Sequence, residues 1–371
     1  MILIKTNKDT LLKPLQIVTG VVERRHTLPI LSNVLIQQKE KKLSFLATDL
    51  EIQIETFKEI NQSKVKEFTL TVSAKKFQDI LRTLPTDSEV TLNRQDNRLQ
   101  VNAGNSSFNL QILPPEDFPK ISEDSEPINV ITVQQKELKK LLHHVQFAIA
   151  QQDIRYYLNG LLLLIEEKSL KAVATDGHRL GYMAIDLDKN YEKKEIILPR
   201  KTVLELEKQL TDDEEPISIE VYKNKVRFIF SDTVLISKVI DGKFPDYKRV
   251  IPTDNTKIFE LDKLLFLQAL QRVSILSNVN EKFRGVRFVI NSGVLQVICK
   301  NNEQEEALEE VEIEYDDESI DISFNITYLL DLLNNLTCRT IQCAFKDANS
   351  SVLITNQENE DFKYIVMPMR I

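Results

Sequence analysis

Apolar residues recur along this chain in two alternating rhythms. Leu11, Leu15, Val18 and Val22 fall on one face at helical spacing. Strand-like alternation follows, clear at Leu43, Phe45 and Ala47. A second helical stripe runs through Phe77, Ile80, Leu81 and Leu84, and the runs EVTLN, RLQVNAG and SFNLQIL close the block as strands. The same order returns twice. Leu138, Leu141, Leu142, Val145 and Ile149 open the second block, with Lys136, Lys139, Lys140, His143 and His144 off the stripe, and Val203, Leu206 and Leu210 mark its second helix. Phe266, Ala269, Leu270 and Val273 open the third block, and Ile326, Leu329, Leu330 and Leu333 form its second helix. Pro14 suits the first of these helices only near its first turn.

The blocks are copies of one another. Thr48-Asp49 reappears as Thr175-Asp176, 127 positions on, and Phe118-Pro119 as Phe244-Pro245, 126 positions on. Leu138 lies 127 positions after Leu11 and 127 before Leu265. The fold class expected is α+β: three repeated domains, each with two helices packed on antiparallel sheets of about eight short strands. Domain boundaries fall at 1–124, 125–253 and 254–371, with short linkers at Glu123–Pro127 and Pro252–Thr256. An array of this kind carries its function on a shared surface, not in one catalytic cleft.

At 371 residues, each of three domains can bury its own core. The net charge of −8 argues against nucleic acid on its face, but much of the acid is concentrated in Glu303–Asp321, away from the predicted helices. A groove can be basic within an acidic chain. Cys299, Cys338 and Cys343 are odd in number and read as buried thiols, which with no signal peptide or membrane-length apolar run gives a cytoplasmic expectation.

Catalytic signatures are missing from the sequence. It has eight glycines and no phosphate loop, no G-x-S-x-G, no H-E-x-x-H and no C-x-x-C. His143 and His144 are adjacent on a helix, point apart, and read as a solvated face; no metal or cofactor is expected. Glu305, Glu306, Glu309 and Glu310 read as a solvated strand edge or one side of a charged interface. The TDGHRL stretch, Thr175–Leu180, offers His178 as a general base oriented by Asp176, or a tight turn after a strand; the turn is favoured. Leu158, Leu180 and the tail Met367-Pro368-Met369-Arg370-Ile371 place apolar groups near loops and a terminus, as a peptide-accepting groove would. Tyr156 and Tyr157, beside Gln151, Gln152 and Arg155, suit phosphates and sugars.

At this point the words TLPILSN (27–33), TDLE (48–51), QDIRYYLNG (152–160), VATDGHRL (173–180), DGKFPDY (241–247), ILSN (275–278), EKFRGVR (281–287), NNEQEEA (301–307) and YIVMPMRI (364–371) matter together. Over its whole length the chain resembles the bacterial DNA polymerase III beta subunit, the sliding clamp. The resemblance implies a processivity factor without a catalytic site. Two chains would form a head-to-tail homodimeric six-domain ring, with helices lining the hole. Such a ring encircles double-stranded DNA without sequence preference. It tethers the replicative polymerase, the clamp loader and other proteins that carry a clamp-binding motif.

Carried over by position, the resemblance implies a partner-peptide site of Arg155, Leu158, Thr175, Gly177, His178, Arg179, Leu180, Pro245, Arg249, Val250, Ser351, Val366, Met367, Pro368, Met369 and Arg370. DNA-facing positions would be Arg25, Lys75, Gln152, Tyr156, Tyr157, Lys201, Phe283, Asn325 and Tyr328. Phe108 and Leu110 of one chain would meet Ile275 and Leu276 of the other, with Lys76 facing acids such as Glu303 or Glu309. The chain departs from the family pattern at Asn105, Ser106 and Ser107, at the extra Val279-Asn280, and at Asn349, which implies a more polar pocket floor. Two rival readings remain: a hydrolase using Asp176 and His178, which lacks a nucleophile or metal set at sensible spacing, and a repeat protein that binds peptides only, whose inner face need not be basic.

Overall fold

The computed structural model describes residues 2–23, 28–60, 67–122, 126–277 and 284–370. Among them are six α-helices, two per repeat: α1 Lys8–Val18, α2 Ala74–Thr83, α3 Gln135–Gln146, α4 Arg200–Gln209, α5 Lys263–Val273 and α6 Ile326–Asn335. Side-chain caps fix several starts. Asn7, Asp262 and Asn325 accept backbone N–H groups from the first turns of α1, α5 and α6. Val22, Leu84 and Ile149 lie just beyond their helices. Pro14 sits inside α1, past the first turn where it was expected, on the buried face with Leu11, Leu15 and Val18. Its missing N–H is tolerated there within a packed helix.

The sequence pattern missed one strand per repeat. Ile2–Asn7, Asn129–Gln134 and Lys257–Asp262 each lead directly into an opening helix. Strand number also differs in the middle copy. Gly160–Thr175 and Arg179–Pro199 run 16 and 21 residues, so each spans the length of two strands elsewhere.

The chain divides into two compact units, and the division passes through the middle repeat. The first unit comprises 1–136 and 204–239. It holds a 12-stranded sheet in which the copy-one strand Ile52–Glu59 pairs with the copy-two strand Thr233–Lys238. Helices α1 and α2 pack together over it, burying Leu11, Leu15, Phe77 and Leu81. The second unit comprises 137–203 and 240–371. Its six-stranded sheet joins copies two and three where Arg179–Tyr182 pairs with Lys363–Val366, and a four-stranded sheet carries α5 and α6. The middle copy is split because its two halves are hydrogen-bonded into different sheets.

Repeated sequence makes repeated geometry. The Thr48 hydroxyl donates to the Ile52 carbonyl and accepts the Leu50 N–H, while Asp49 Oδ1 accepts the N–H groups of Glu51 and Ile52. The Thr175 hydroxyl donates to the Arg179 carbonyl and accepts the Gly177 N–H, and Asp176 Oδ1 accepts those of His178 and Arg179. The turn needs a left-handed residue at its third position: Leu50 at φ 78° in copy one, Gly177 at φ 92° in copy two. This satisfies the backbone locally and leaves no role for Asp176 and His178 as a catalytic pair.

Among the described residues, two of the open strand edges are counterparts by the repeat. Glu306–Glu312 ends the four-stranded sheet. Ser106–Leu113 pairs along one side with Arg98–Ala103, but on its other side only Ile112 and Leu113 find a strand partner. The three cysteines are free and buried; burial pushes the thiols of Cys299 and Cys343 up to about 11 and about 12.

Candidate functional site

The second unit contains a cavity of about 150 Å³ beside the Thr175–Arg179 turn. Its floor is the apolar cluster that includes Leu162, Val173, Leu180, Phe244, Tyr247 and Ile365. Leu158, Val250 and Met367 complete the apolar wall, with Arg155 and Gly177 on the rim. Leu158 and Leu180 are buried, while Met367 is 37% exposed and free to rearrange against an incoming group. The Met367 N–H donates to the His178 carbonyl at 2.9 Å, which extends the strand pairing and holds the tail at the mouth. Gly177 is required for space as well as for its φ: a Cβ there would stand 2.9 Å from the Arg155 guanidinium. One polar group is left over. The Tyr247 hydroxyl is buried without a hydrogen-bond partner among the described residues, and burial pushes its pKa up to about 12.

Beneath the turn lies a charged anchor. Arg179, 9% exposed, reaches Asp176 at 3.0 Å and Asp331 of α6 at 2.7 Å, and its guanidinium lies 4.4 Å over the Tyr328 ring. Burial works against this charge, but Tyr364, Asp331 and Asp176 outweigh it and hold the guanidinium above its ordinary value. The anchor ties the copy-two turn to a copy-three helix, so the cavity wall is fixed from both sides.

The 151–159 loop is braced in the same manner. Asp153 binds Arg155 through both carboxylate oxygens, at 3.0 and 2.9 Å, and also exchanges backbone hydrogen bonds with the Asn159 side chain. The Arg155 side-chain hydrogen bond is the main cause that lowers the Asp153 carboxyl from 3.8 to about 2. A depressed carboxyl contributes stability above its unfolded value and loses it as pH falls through the folded one. The melting difference between the parent chain and Asp153→Asn is expected to be constant above pH 3.8 and to close toward about 2. Calorimetry across that range checks it; a difference that persists unchanged at the low end means the loop does not depend on this carboxylate.

Of the partner-site residues named from sequence, the cavity brings together Arg155, Leu158, Thr175, Gly177, Arg179, Leu180, Pro245, Val250 and Met367. His178, Arg249 and Arg370 are exposed and outside its lining; the half-buried Ser351, Pro368 and Met369 and the buried Val366 lie outside it too. Asn349 is not a pocket-floor residue: it is exposed in a turn where its N–H meets Asp347. Sequence reasoning missed Tyr247 and Ile365 as cavity residues, and it placed Tyr157, which lines the cavity, with the DNA-facing group.

The remaining DNA-facing positions are heterogeneous. Lys75 is exposed on α2, Gln152 and Tyr156 are exposed on the 151–159 loop, and Lys201 is half-buried on α4. Asn325 is buried as the α6 cap, and Tyr328 is half-buried under Arg179. Arg25, Phe283 and the Val279-Asn280 pair lie outside the described residues. Of the interface positions, Ile275 is 77% exposed and Leu276 and Phe108 are half-buried, but Leu110 is already buried within its own chain. Lys76 and Glu303 are exposed, whereas Glu309 is engaged by Arg272 at 2.7 Å. His144 is not on a solvated face: it is buried, with Nδ1 2.8 Å from the Lys140 carbonyl and its ring against Phe362.

Three repeats of two helices on antiparallel sheets, with a small apolar cavity beside one repeated turn, define a scaffold of clamp domains. Models of the DNA polymerase III beta subunit match the chain in order: the N-terminal domain at 2–122, the central domain at 132–246 and the C-terminal domain at 248–370. The chain is 40% identical over 365 residues to the beta sliding clamp of Pseudomonas aeruginosa, and 39% over 364 residues to that of Escherichia coli; each match covers 98% of both chains. Among solved structures it resembles a P. aeruginosa sliding clamp bound to griselimycin, with TM-score 0.95 and 39% identity over 100% of both chains. It also resembles Caulobacter crescentus pol III beta, with TM-score 0.90 and 39% identity over 99% of both. The chain belongs to the DNA polymerase III beta subunit family, the bacterial sliding clamps, which are processivity factors and not enzymes.

Proposed function

We propose that two copies of this chain close head to tail into a ring that encircles duplex DNA and holds a polymerase at its primer end. The observation that carries this reading is the pair of open strand edges. Between successive repeats, the strand after the Thr-Asp turn pairs with the last strand of the next repeat: Ile52–Thr56 with Thr233–Ser237, then Arg179–Tyr182 with Lys363–Val366. The same rule leaves one edge of Glu306–Glu312 in copy three and one edge of Ser106–Gln111 in copy one unpaired among the described residues, and each fits the other on a second chain. Such a contact, repeated by a two-fold rotation, closes and does not polymerise. Ile275 follows α5, which packs against Glu306–Glu312, and so sits beside the proposed seam.

Domains at 1–124, 125–253 and 254–371 are the units of this ring. A ring on duplex needs only weak phosphate contacts, which cations such as Lys75 and Lys201 supply without reading sequence. The apolar cavity takes an extended partner peptide: bulky side chains rest on Leu158, Leu180 and Val250, and a glutamine amide meets the orphaned Tyr247 hydroxyl. A tethered polymerase then rebinds its primer end by effective concentration. The same cavity serves the clamp loader and other proteins with the same motif, in the cytoplasm. No helix among the described residues is long and apolar enough to cross a membrane.

The test is topological. Loaded protein is expected to stay on closed circular DNA and to leave once the circle is cut, and Lys75→Glu with Lys201→Glu is expected to reduce loading and its salt sensitivity. Equal retention on linear and circular DNA would refute encirclement.

A further inference from the structure

The internal repeat predicts a second cleft where copies one and two meet within the first unit, and the chemistry there is inverted. The Lys238 N–H donates to the Glu51 carbonyl at 2.9 Å, the same bond that Met367 makes to His178, 127 positions after Glu51. Lys238 therefore takes the place of Met367. Gln53 stands 127 positions before Leu180, and its Oε1 accepts the Ile121 N–H at 2.8 Å, which fills the space of the apolar floor. What remains is a cleft of about 540 Å³ lined by Thr48, Leu50, Lys120, Asn224, Lys225 and Lys238, among others.

Three lysines line it, and among the described residues little balances their charge. Lys225 is 7% exposed; its Nζ donates to the Ser122 carbonyl and lies 4.9 Å from the Tyr222 ring, with no carboxylate in ion-pair reach among the described residues. Among the described residues this buried ammonium has no counter-charge, and an anion brought to such a group is favoured. Lys120 is exposed and has no ion pair among the described residues. Among the described residues Lys238 pairs only with the exposed Glu51, at 3.2 Å, a pair worth little in water. The whole chain carries −8, so an acidic ligand is drawn here by this local cluster and not by the general field.

We propose that this cleft binds the acidic side chains of an extended segment of a partner protein, a second docking point distinct from the apolar cavity. The choice of a peptide over a free anion rests on reading the repeat-related cavity as a peptide site. Anisotropy with a labelled peptide of six glutamates in a Gly-Ser backbone tests it, beside a second peptide carrying a glutamine and bulky apolar residues. Lys120→Glu with Lys238→Glu, both at exposed positions, is expected to weaken the acidic peptide at least tenfold and leave the apolar peptide unchanged. Met367→Asp is expected to do the reverse. If the acidic peptide binds and the apolar one does not, the reading of the cavity fails and this one stands. Undiminished acidic-peptide binding by the lysine double variant overturns the proposal. So does a parent chain that binds inorganic phosphate or duplex DNA at these lysines but not the peptide.

Discussion

A chain ending at Val366 is expected to lose partner-peptide binding while keeping its fold. Met367 is the one residue of the tail that lines the cavity, and it is the wall's exposed and adaptable member. Anchors in such clefts carry roughly 2 kcal/mol or more each, which is about thirtyfold in affinity. The fold loses much less. Two backbone hydrogen bonds disappear, Met367 to His178 and Met369 to Ser323, each worth on the order of 1 kcal/mol. The strand Asn359–Val366, with Phe362 and Tyr364–Val366 buried, and the Arg179 anchor remain. Calorimetry with a peptide bearing a glutamine and bulky apolar residues should show binding fall at least thirtyfold, with a small drop in melting temperature. Full-strength binding by the shortened chain would place the docking site elsewhere.

Ile275→Asp is expected to convert the dimer to a folded monomer. The side chain is 77% exposed in the single chain, so a carboxylate there costs the isolated protomer almost nothing. In a closed ring the same carboxylate is buried without a partner, at a cost of roughly 3–5 kcal/mol, or more than a hundredfold in dimer affinity. Light scattering and circular dichroism together read this: half the mass with unchanged secondary structure. Retention of the dimer would move the seam away from the end of α5. The variant should also fail to stay on circular DNA, which links assembly to topology in one protein.

Much of the architecture was legible because it is local. The Thr-Asp turns at 48–51 and 175–178 make the same hydrogen bonds because the hydroxyl and carboxylate act within four residues. The helical stripes needed only spacing. Misreadings occurred where a distant residue decided. His144 looked like part of a solvated face, but Phe362, from the far end of the chain, covers it. Leu110 looked as if only a partner could cover it, but it is already buried in the single chain. The short leading strands, such as Lys257–Asp262, alternate too briefly to stand out until Thr340–Phe345 pairs with them.

The candidate cavity divides along the same line. Three repeats, the positions of the turns, and the placement of Leu158, Leu180 and Met367 near loops follow from the order of residues along the chain. It takes the folded chain to bring Tyr157, Tyr247 and Ile365 beside them, to bury Arg179 between Asp176 and Asp331, and to make one repeat-related junction apolar and the other lysine-lined. The difference is one of range. Turn and helix preferences are set by neighbours a few residues away. A cavity wall is the sum of side chains from strands more than a hundred residues apart, whose register only the completed sheet specifies.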